Sequence, residues 1–459
     1  MSSPSYCVVG GGVSGLTAAY RLRMAAGDDA AITLFDPGDR LGGVLRTELV
    51  GGVPMDVGAE AFVLRRPELP ALLIELNLSE HQRVSTGARP LIYSRQELRP
   101  LPAGTVAGIP SSAASVAGLV DEANLARIEA EPTRPLVWEP GSDPAVADLV
   151  GERFGDQVVS RSVDPLLSGV YAGSAATIGL RAAAPTVAAA LDRGAPSLTE
   201  AVGQALPPAT GAPVFGSLQG GYRVLIDELV ARGRPRWVRA AVSRLEPTDA
   251  GWSVIDDTGA HWAVDAVILA VPAAQCCRLL AEIAPRSVAA AGRISSASSV
   301  VMALAVPGDT AFPECSGVLV ATGERLRAKA ITLSSRKWGG AGGDAQLLRL
   351  SFGRFGDRVA ADTSDDELLT WALGDLATVF GLTVDPVDVL IQRWIDAMPQ
   401  YGPGHADLVA EVRAGLPPTL AVAGSYLDGI GVPACVGAAG RAVERVIRAI
   451  GDLDARVAR

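Results

Sequence analysis

The chain opens with an apolar run, a glycine-rich turn and a helix-forming segment: Tyr6-Cys7-Val8-Val9-Gly10-Gly11-Gly12-Val13-Ser14-Gly15-Leu16. The four apolar residues suffice for one buried strand, and residues 16–23 carry apolar side chains at helical spacing. A second apolar run, 31–35, ends at Asp36. A GxGxxG turn between strand and helix, with an acid about 20 residues further on, predicts a dinucleotide-binding unit.

Each part of this fingerprint has a physical role. Gly10 permits the tight turn, Gly12 lets the backbone approach a pyrophosphate, and Gly15 lets the helix pack closely on the strand. The helix N-terminus then presents unpaired N–H groups and a partial positive charge to the phosphates. Asp36 is placed to accept hydrogen bonds from a ribose diol.

A second ligand-facing segment follows the strand that ends at Asp36. Residues 39–47 contain the pair Gly42-Gly43, which allows close backbone approach, and Arg40 and Arg46, which suit phosphate oxygens. Residues 55–62 then read Met-Asp-Val-Gly-Ala-Glu-Ala-Phe. Two such loops after the fingerprint predict a long cofactor that lies extended across the domain.

With these segments the chain resembles the FAD-dependent amine-oxidase-like superfamily and, within it, the porphyrinogen oxidases of haem biosynthesis. The resemblance continues in residues 168–173, 218–222, 393–401 and 424–433. Two positions depart from the common pattern, because Asp36 stands where many flavoproteins have Glu and Val44 stands where an Arg is frequent. Neither change removes a backbone or ribose contact, so FAD is the expected cofactor.

The resemblance implies a set of cofactor contacts spread along the chain. These are Gly10, Gly11, Gly12, Val13, Ser14, Gly15, Asp36, Arg40, Gly43, Val44, Gly58, Ala59, Glu60, Ala61, Val242, Trp394, Gly424, Ile430, Gly431 and Val432. Val242 would meet adenine through its backbone, with plain strand core as the equal alternative. Core packing is the alternative for Trp394.

A porphyrinogen carries carboxylates on its rim, and arginine suits them because its planar fork binds in bidentate fashion. Arg65, Arg66 and Arg89 are the nearest candidates, with an ordinary solvated surface as the alternative for each. Glu60 is expected beside the flavin. The slot for the macrocycle is expected to involve Tyr171, Tyr401 and His405, with a structural histidine as the favoured alternative at position 405. No catalytic base and no metal site is predicted.

Composition limits the partners. The 459 residues carry a formal net charge of −10, which argues against nucleic acid. The five cysteines form no CxxC pair, which fits a reducing cytoplasm. No signal peptide or transmembrane helix is evident, so we expect a cytoplasmic protein. The mean hydropathy of +0.28 leaves peripheral membrane contact open.

The expected fold is α/β: a discontinuous Rossmann-like FAD-binding domain, an α+β substrate domain and an inserted helical domain. Residues 81–174 carry helical patterns, strand-like runs begin at 237, and residues 433–450 form a closing helix. The predicted pieces are 1–62, 215–290 and 415–459 for the FAD-binding domain, 63–80, 175–214 and 291–414 for the substrate domain, and 81–174 for the helical domain.

The resemblance implies an oxidation of coproporphyrinogen III to coproporphyrin III, with hydride transfer to FAD N5, oxygen as acceptor and hydrogen peroxide as co-product. A downstream haem-pathway enzyme is a candidate partner. Three alternatives stay open: protoporphyrinogen IX as substrate, another amine-oxidase-like flavoenzyme, and a flavin-binding protein that senses redox state or docks a partner. No second dinucleotide fingerprint follows residue 62, so no separate nicotinamide site is expected.

Overall fold

A computed structural model describes the chain over residues 4–208, 211–339 and 344–457. Residues 1–3, 209–210, 340–343 and 458–459, which fall within the predicted domain pieces, lie outside the described residues. No helix of the described part is both long and apolar enough to cross a membrane.

The strands of the described residues are β1 (Ser5–Val9), β2 (Ala31–Phe35), β3 (Thr47–Val50), β4 (Val53–Asp56), β5 (Phe62–Val63), β6 (Gln82–Val84), β7 (Leu91–Ser94), β8 (Glu97–Pro100), β9 (Thr105–Val106), β10 (Ile109–Pro110), β11 (Phe215–Leu218), β12 (Arg236–Val238), β13 (Val242–Thr248), β14 (Gly251–Asp256), β15 (His261–Val264), β16 (Ala266–Leu269), β17 (Ser296–Pro307), β18 (Gly317–Val320), β19 (Ala330–Thr332), β20 (Ala345–Phe352), β21 (Asp388–Pro399) and β22 (Leu420–Val422).

The α-helices of the same residues are α1 (Val13–Ala26), α2 (Glu68–Glu75), α3 (Glu122–Ala130), α4 (Val146–Phe154), α5 (Asp156–Val158), α6 (Asp164–Tyr171), α7 (Leu180–Ala183), α8 (Pro185–Asp192), α9 (Leu198–Ala205), α10 (Arg223–Gly233), α11 (Ala273–Leu280), α12 (Pro285–Ala291), α13 (Ser334–Trp338), α14 (Val359–Asp362), α15 (Asp365–Phe380), α16 (His405–Ala414) and α17 (Val432–Val457).

A parallel sheet of five strands carries the dinucleotide fingerprint. Its order is β12-β2-β1-β16-β22, so its strands come from three widely separated stretches of the chain. Alternate residues of β1 reach opposite faces: Tyr6 and Val8 pack with α1 and α17, whereas Cys7 and Val9 pack with the β13–β14–β15 meander and α11. Burial on both faces explains why β1 is apolar throughout. The predicted α/β fold with a discontinuous Rossmann-like domain is confirmed.

The closing helix is longer than predicted, since α17 covers Val432–Val457 rather than 433–450. It lies on the parallel sheet through a stripe of buried residues that recurs every three or four positions. The stripe consists of Val432, Cys435, Val436, Ala439, Ala442, Val443 and Val446. This packing brings the N-terminus of α17 next to α1, where the Ser14 hydroxyl donates to the Cys435 carbonyl at 3.5 Å.

A second sheet of seven strands has the order β21-β17-β20-β19-β18-β7-β8. One face packs on α15 through a buried apolar cluster that includes Met302, Leu350 and Leu376. On the other face, Ala303 and Ala305 contact residues of the β3–β4 hairpin. The sheet therefore stands directly against the segment that precedes residues 57–61.

Two stretches differ from the sequence prediction. Residues 82–110, predicted within a mostly helical segment, form β6 to β10, and β7 and β8 extend the seven-stranded sheet. Their short runs lack a clear period of two, which hides strands at a sheet edge. Residues 237–245, predicted as one strand, divide between β12 of the parallel sheet and β13 of the meander. Within the predicted helical domain, the first α-helix is α3, which begins at Glu122. The positions of the domain boundaries stay predictions.

The helical segment is built around one buried ion pair. The Arg153 Nε donates to the Glu131 carboxylate at 2.7 Å, and both side chains are at most 2% exposed. The guanidinium also donates to the carbonyls of Pro135 and Arg134, and the Glu131 carboxylate accepts from Thr199. These bonds tie α4 to the start of α9. Every charged atom of the pair has a hydrogen-bond partner, which offsets its loss of water on burial.

Removing one partner of this pair should be costly, because the other charge stays buried. We expect Arg153→Met to lower the free energy of unfolding by about 3–5 kcal/mol. The exposed pair of Arg21 and Glu75 provides the control, since Arg21→Met should cost about 1 kcal/mol or less. Urea denaturation followed by circular dichroism measures both variants. Equal losses in the free energy of unfolding would show that burial does not make the Arg153 pair more costly to break.

Candidate functional site

The predicted glycine roles correspond to specific contacts. Gly10 has a φ of +107°, which favours glycine. A Cβ on Gly15 would lie 1.8 Å from the Gly10 carbonyl oxygen, so α1 packs directly on the turn. A Cβ on Gly12 would meet nothing closer than the Gly43 Cα at 4.0 Å. The space above Gly12 is therefore open, and it lies in front of the N-terminus of α1, which begins at Val13.

Asp36 lies at the carboxyl end of β2, beside the glycine turn. Its Oδ2 accepts from the Gly11 amide at 2.7 Å, and its Oδ1 accepts from the Gly38 amide at 2.9 Å. Trp237 donates through its indole Nε1 to the Asp36 carbonyl at 3.1 Å. These bonds fix the carboxylate at the edge of the turn, where a ribose diol would be expected.

The segment 40–45 lies directly on the fingerprint. The Gly42 amide donates to the Gly11 carbonyl at 2.8 Å, and a Cβ on Gly43 would lie 3.1 Å from the Gly12 Cα. The Arg40 guanidinium donates to the carbonyls of Gly43, at 2.7 Å, and Leu45, at 3.1 Å. Arg40 thus shapes this loop from within. Gly43 and Val44 are exposed, and they border the open space above Gly12.

Residues 57–61 continue the same surface. A Cβ on Gly58 would lie 1.8 Å from the Val44 carbonyl oxygen, which also accepts from the Ala59 amide at 3.2 Å. Trp394 of β21 donates through its Nε1 to the Val57 carbonyl at 2.9 Å. The structure therefore brings Trp394, predicted from the resemblance alone, to the segment that was predicted to face the flavin, with Ala61 following in the chain.

Glu60 turns its carboxylate toward α13. Its Oε2 lies 2.8 Å from the Lys337 Nζ, and its Oε1 accepts from the Ser334 hydroxyl at 3.0 Å. Burial by itself would raise the pKa of Glu60, but the charges of Lys337 and Arg349 outweigh it and lower that pKa to about 2. Glu60 is therefore a permanent anion, unsuited to act as a base near neutral pH.

Asp56 is the second buried acid of this region. Burial raises its pKa to about 6, although hydrogen bonds from Thr47 and Tyr222 act in the opposite direction. The Thr47 hydroxyl, at 2.6 Å, and the Tyr222 amide, at 3.0 Å, both donate to Oδ1. Asp56 thereby fastens the strand before residues 57–61 to the start of α10.

Two glycines with positive φ shape the loop before α17. Gly424 has a φ of +146° and Gly429 a φ of +151°. Ile430 and Gly431 then lead into Val432, and a Cβ on Gly431 would meet only the Pro433 ring at 3.7 Å. The N-terminus of α17 is thus approachable over Gly431, which is exposed. Val242, by contrast, is buried at the start of β13, where the two sequence interpretations remain equal.

Three residues predicted for the substrate slot form a ring cluster. The Tyr401 ring lies 4.3 Å from His405 and 5.5 Å from Tyr171, measured between ring centroids. The Tyr401 hydroxyl donates to the Ser425 carbonyl, and the His405 Nε2 lies 2.9 Å from the Leu427 carbonyl. Both side chains are buried and hold the loop before α17. Their contact with a substrate stays a prediction, and burial lowers the pKa of His405.

The predicted arginines lie on exposed loops. Arg66 pairs with Glu68 at 2.9 Å, whereas Arg65 and Arg89 form no side-chain bond with any residue that the structure describes. Arg89 precedes β7, and its carbonyl accepts from Ser316. The role of each arginine in substrate binding stays a prediction.

Sequence reasoning missed four side chains near residues 56–60. Arg349 donates to the carbonyls of Asp56, at 3.0 Å, and Gly58, at 2.9 Å. The other three are Arg83, Lys337 and Trp338. Lys337, Trp338 and Arg349 lie far along the chain and Arg83 lies on the separate strand β6, so no local spacing links them to residues 56–60. The one sequence signal concerned Lys337, which is one of only two lysines in the chain.

The residues present fit a long dinucleotide cofactor. Gly12 and Gly431 border an open groove that a side chain would enter, and each directly precedes a helix, α1 or α17. Asp36 bonds Gly11, and Trp394 bonds Val57, so both lie beside the loops that form this groove.

The two fingerprint glycines should respond differently to substitution. Gly12→Val should fold, because its φ of −74° and ψ of 178° suit any residue, but its side chain should block the pyrophosphate. Gly15→Val is the matched comparison and should destabilise the fold through its clash with Gly10. Flavin absorbance and melting temperature of the purified variants measure the two effects. Full flavin content in folded Gly12→Val would contradict the assignment of this loop.

Asp56 should give the stability a specific pH dependence. Its folded pKa of about 6 lies above the unfolded value, so the unfolded state binds fewer protons between these two values. Its contribution to stability is therefore lost as pH rises from about 4 to about 6, and it is constant above. Asp56→Asn keeps an Oδ1 acceptor for both donors and lacks this titration.

The stability of Asp56→Asn relative to the unaltered protein should therefore rise between pH 4 and pH 6, on the order of 1–3 kcal/mol. Urea denaturation at several pH values measures it. A difference that stays constant over this range would show that the Asp56 pKa is not raised.

Comparison with known proteins agrees with this geometry. The family described as flavin containing amine oxidoreductase matches residues 13–447. A protein of Mycobacterium leprae named coproporphyrinogen III oxidase is 74% identical over 444 residues, or 97% of this chain and 98% of its own. A Mycobacterium tuberculosis protein of the same name is 73% identical over 459 residues and the full length of both chains.

Solved structures agree on the fold. An Exiguobacterium crystal structure superimposes with a TM-score of 0.87 at 28% identity, covering 97% of this chain and 99% of that one. A putrescine oxidase superimposes with a TM-score of 0.70 at 18% identity, covering 97% of this chain and all of that one, which speaks for the fold alone. The open groove, the dinucleotide fingerprint and the match over almost the whole chain lead to one conclusion: this chain belongs to the flavin-containing amine oxidoreductase family, and FAD is its cofactor.

Proposed function

We propose that this chain oxidises coproporphyrinogen III to coproporphyrin III in haem biosynthesis, with oxygen as the electron acceptor. The observation that carries the proposal is identity of 73–74% over essentially the whole chain to two mycobacterial proteins named for this activity. A more distant Bacillus subtilis protein, 26% identical over 449 residues, has the same name.

The chain's residues would hold the cofactor at both of its ends. Gly12 and the N-terminus of α1 bind the pyrophosphate, and Asp36 binds the ribose. Residues 58–61 and Trp394 frame the flavin ring. When bound, FAD supplies the two-electron oxidation of a carbon–hydrogen bond through its N5. The N-terminus of α17 stabilises negative charge on the flavin with its partial positive charge.

An apolar surface near Tyr171 suits the apolar macrocycle of a porphyrinogen. The Phe355 amide donates to the Ala172 carbonyl at 2.7 Å, and Gln400 donates to the Tyr171 carbonyl at 2.8 Å. These bonds join three segments that carry exposed apolar side chains, namely Val170, Phe355 and Ile395, which are 51%, 37% and 56% exposed. Exposed apolar groups on segments joined in this way support a binding surface for the macrocycle.

Coproporphyrinogen III has four carboxylates, and protoporphyrinogen IX has two. Arg65 and Arg89, the exposed arginines predicted for substrate binding, have no side-chain partner among the described residues, which supports the substrate with more carboxylates. The relatives' names point to the same substrate. Each of three successive two-electron steps would pass its electrons to one oxygen molecule and give one hydrogen peroxide.

The proposal predicts a specific set of redox changes. Coproporphyrinogen III added without oxygen should bleach the flavin absorbance of the purified protein. In air, porphyrin fluorescence should appear with about three hydrogen peroxide molecules for each porphyrin and without nicotinamide. Protoporphyrinogen IX under the same conditions is the comparison, and its kcat/KM should be lower.

Three outcomes would contradict the proposal. Turnover that requires NAD and ignores oxygen would indicate a dehydrogenase. Faster turnover of protoporphyrinogen IX would reassign the substrate. Failure of both porphyrinogens to bleach the flavin would favour an amine substrate or a protein that binds flavin without turnover.

A further inference from the structure

Three side chains from two elements meet beside Glu60 and form what we call the Trp338 pocket: Arg83, Lys337 and Trp338. Arg83 lies on β6, the edge strand of a three-stranded sheet with β11 and β5. Lys337 and Trp338 end the short helix α13. The pocket adjoins residues 57–61 because Glu60 itself bonds Lys337.

The aromatic ring lies between two cations. The Lys337 Nζ is 4.8 Å from the Trp338 ring centroid, and the Arg83 Cζ is 5.6 Å from it. Both distances are within the range of a cation–π contact. The ring therefore holds two like charges near one another that would otherwise repel.

Hydrogen-bond donors remain unused in this pocket. Arg83 donates through Nε to the Ser217 hydroxyl at 2.8 Å, while its two terminal nitrogens bond no residue that the structure describes. The indole Nε1 of Trp338 also has no partner there, although the residue is only 7% exposed. Its interaction with the Glu60 carboxylate contributes to the lowered pKa of that acid. A buried donor without an acceptor is costly, so an acceptor supplied by a ligand would be stabilised here.

The charges leave one cation in excess. Lys337 is matched by Glu60 at 2.8 Å. Arg349 uses its guanidinium on the carbonyls of Asp56 and Gly58. Arg83 has no carboxylate within ion-pair distance among the described residues, and burial lowers its pKa although the more distant charges of Glu60 and Asp56 act in the opposite direction.

We propose that the Trp338 pocket binds one rim carboxylate of the porphyrinogen through the Arg83 terminal nitrogens and the Trp338 indole. This inference rests on the proposed function, and it adds residues that neither the resemblance nor the sequence pattern indicated. A carboxylate matches the planar arginine fork and supplies the missing acceptor. Glu60 holds Lys337 in place and limits the pocket to a single added negative charge.

Binding of the stable product coproporphyrin III to the FAD-loaded protein tests this assignment. Arg83→Met should raise its Kd roughly 10- to 100-fold, because one charge-assisted pair is lost. Arg244→Met is the control, since Arg244 is an exposed residue of β13 paired with Glu246. The tetramethyl ester of coproporphyrin III, which has no carboxylates, should bind both variants equally. Quenching of porphyrin fluorescence measures each Kd.

A substitution that should strengthen binding separates loss of recognition from damage to the fold. Glu60→Gln removes the anion that competes for Lys337, so the Kd of coproporphyrin III should fall. Arg83→Lys keeps the charge without the fork, and its Kd should lie between those of the unaltered protein and Arg83→Met. Flavin absorbance of every variant reports whether the cofactor site is intact.

An unchanged Kd in folded, flavin-loaded Arg83→Met would overturn the inference. An equal loss with the ester, or with Arg244→Met, would also overturn it. These outcomes leave the proposed function untouched, because oxidation of coproporphyrinogen III by the unaltered protein tests that function separately.

Discussion

Direct contact between backbones is the constraint on which this site depends. Gly15 packs against the Gly10 carbonyl, Gly43 against the Gly12 Cα, and Gly58 against the Val44 carbonyl. At each contact a side chain would occupy the place of a neighbouring main chain. The three successive segments therefore stack as a continuous surface in which main-chain atoms, rather than side chains, are in contact.

Charge is handled differently on the two sides of this surface. Along the cofactor groove, Asp36 and Arg40 are satisfied by backbone amides and carbonyls, so they shape the loops. Beyond Gly58 the structure buries several charges together, among them Glu60, Lys337 and Arg349. Glu60 stays ionised because nearby cations outweigh its loss of water, whereas Asp56 has hydrogen bonds but a weaker cation influence, and its pKa is raised.

The fold also explains the place of residues that look functional in sequence. Tyr401 and His405 follow the long strand β21, and their polar atoms bond the carbonyls of Ser425 and Leu427. They thereby couple the seven-stranded sheet to the loop that precedes α17. Rare polar residues within an apolar neighbourhood often serve such a purpose, since a buried carbonyl needs a donor.

The sequence by itself determined the parts of this protein that local rules govern. The fingerprint at 10–15, the acid at Asp36, the apolar strands of the parallel sheet and a helix after Gly431 all follow from short-range spacing. Such features depend on a period of two or 3.6 residues and on where glycine is required. The FAD-binding unit and its family were therefore predictable.

Tertiary structure alone decided the rest. β6 to β10 were missed because short edge strands carry little periodic signal, and the meeting of Arg83, Trp338 and Lys337 with Glu60 joins residues over 250 positions apart. Whether an arginine is solvated or left half-buried without an anion depends on its neighbours in space, and no local pattern records them. Short segments of sequence thus sufficed to predict the fold and its cofactor. The electrostatics around Glu60 arise only when distant segments pack together.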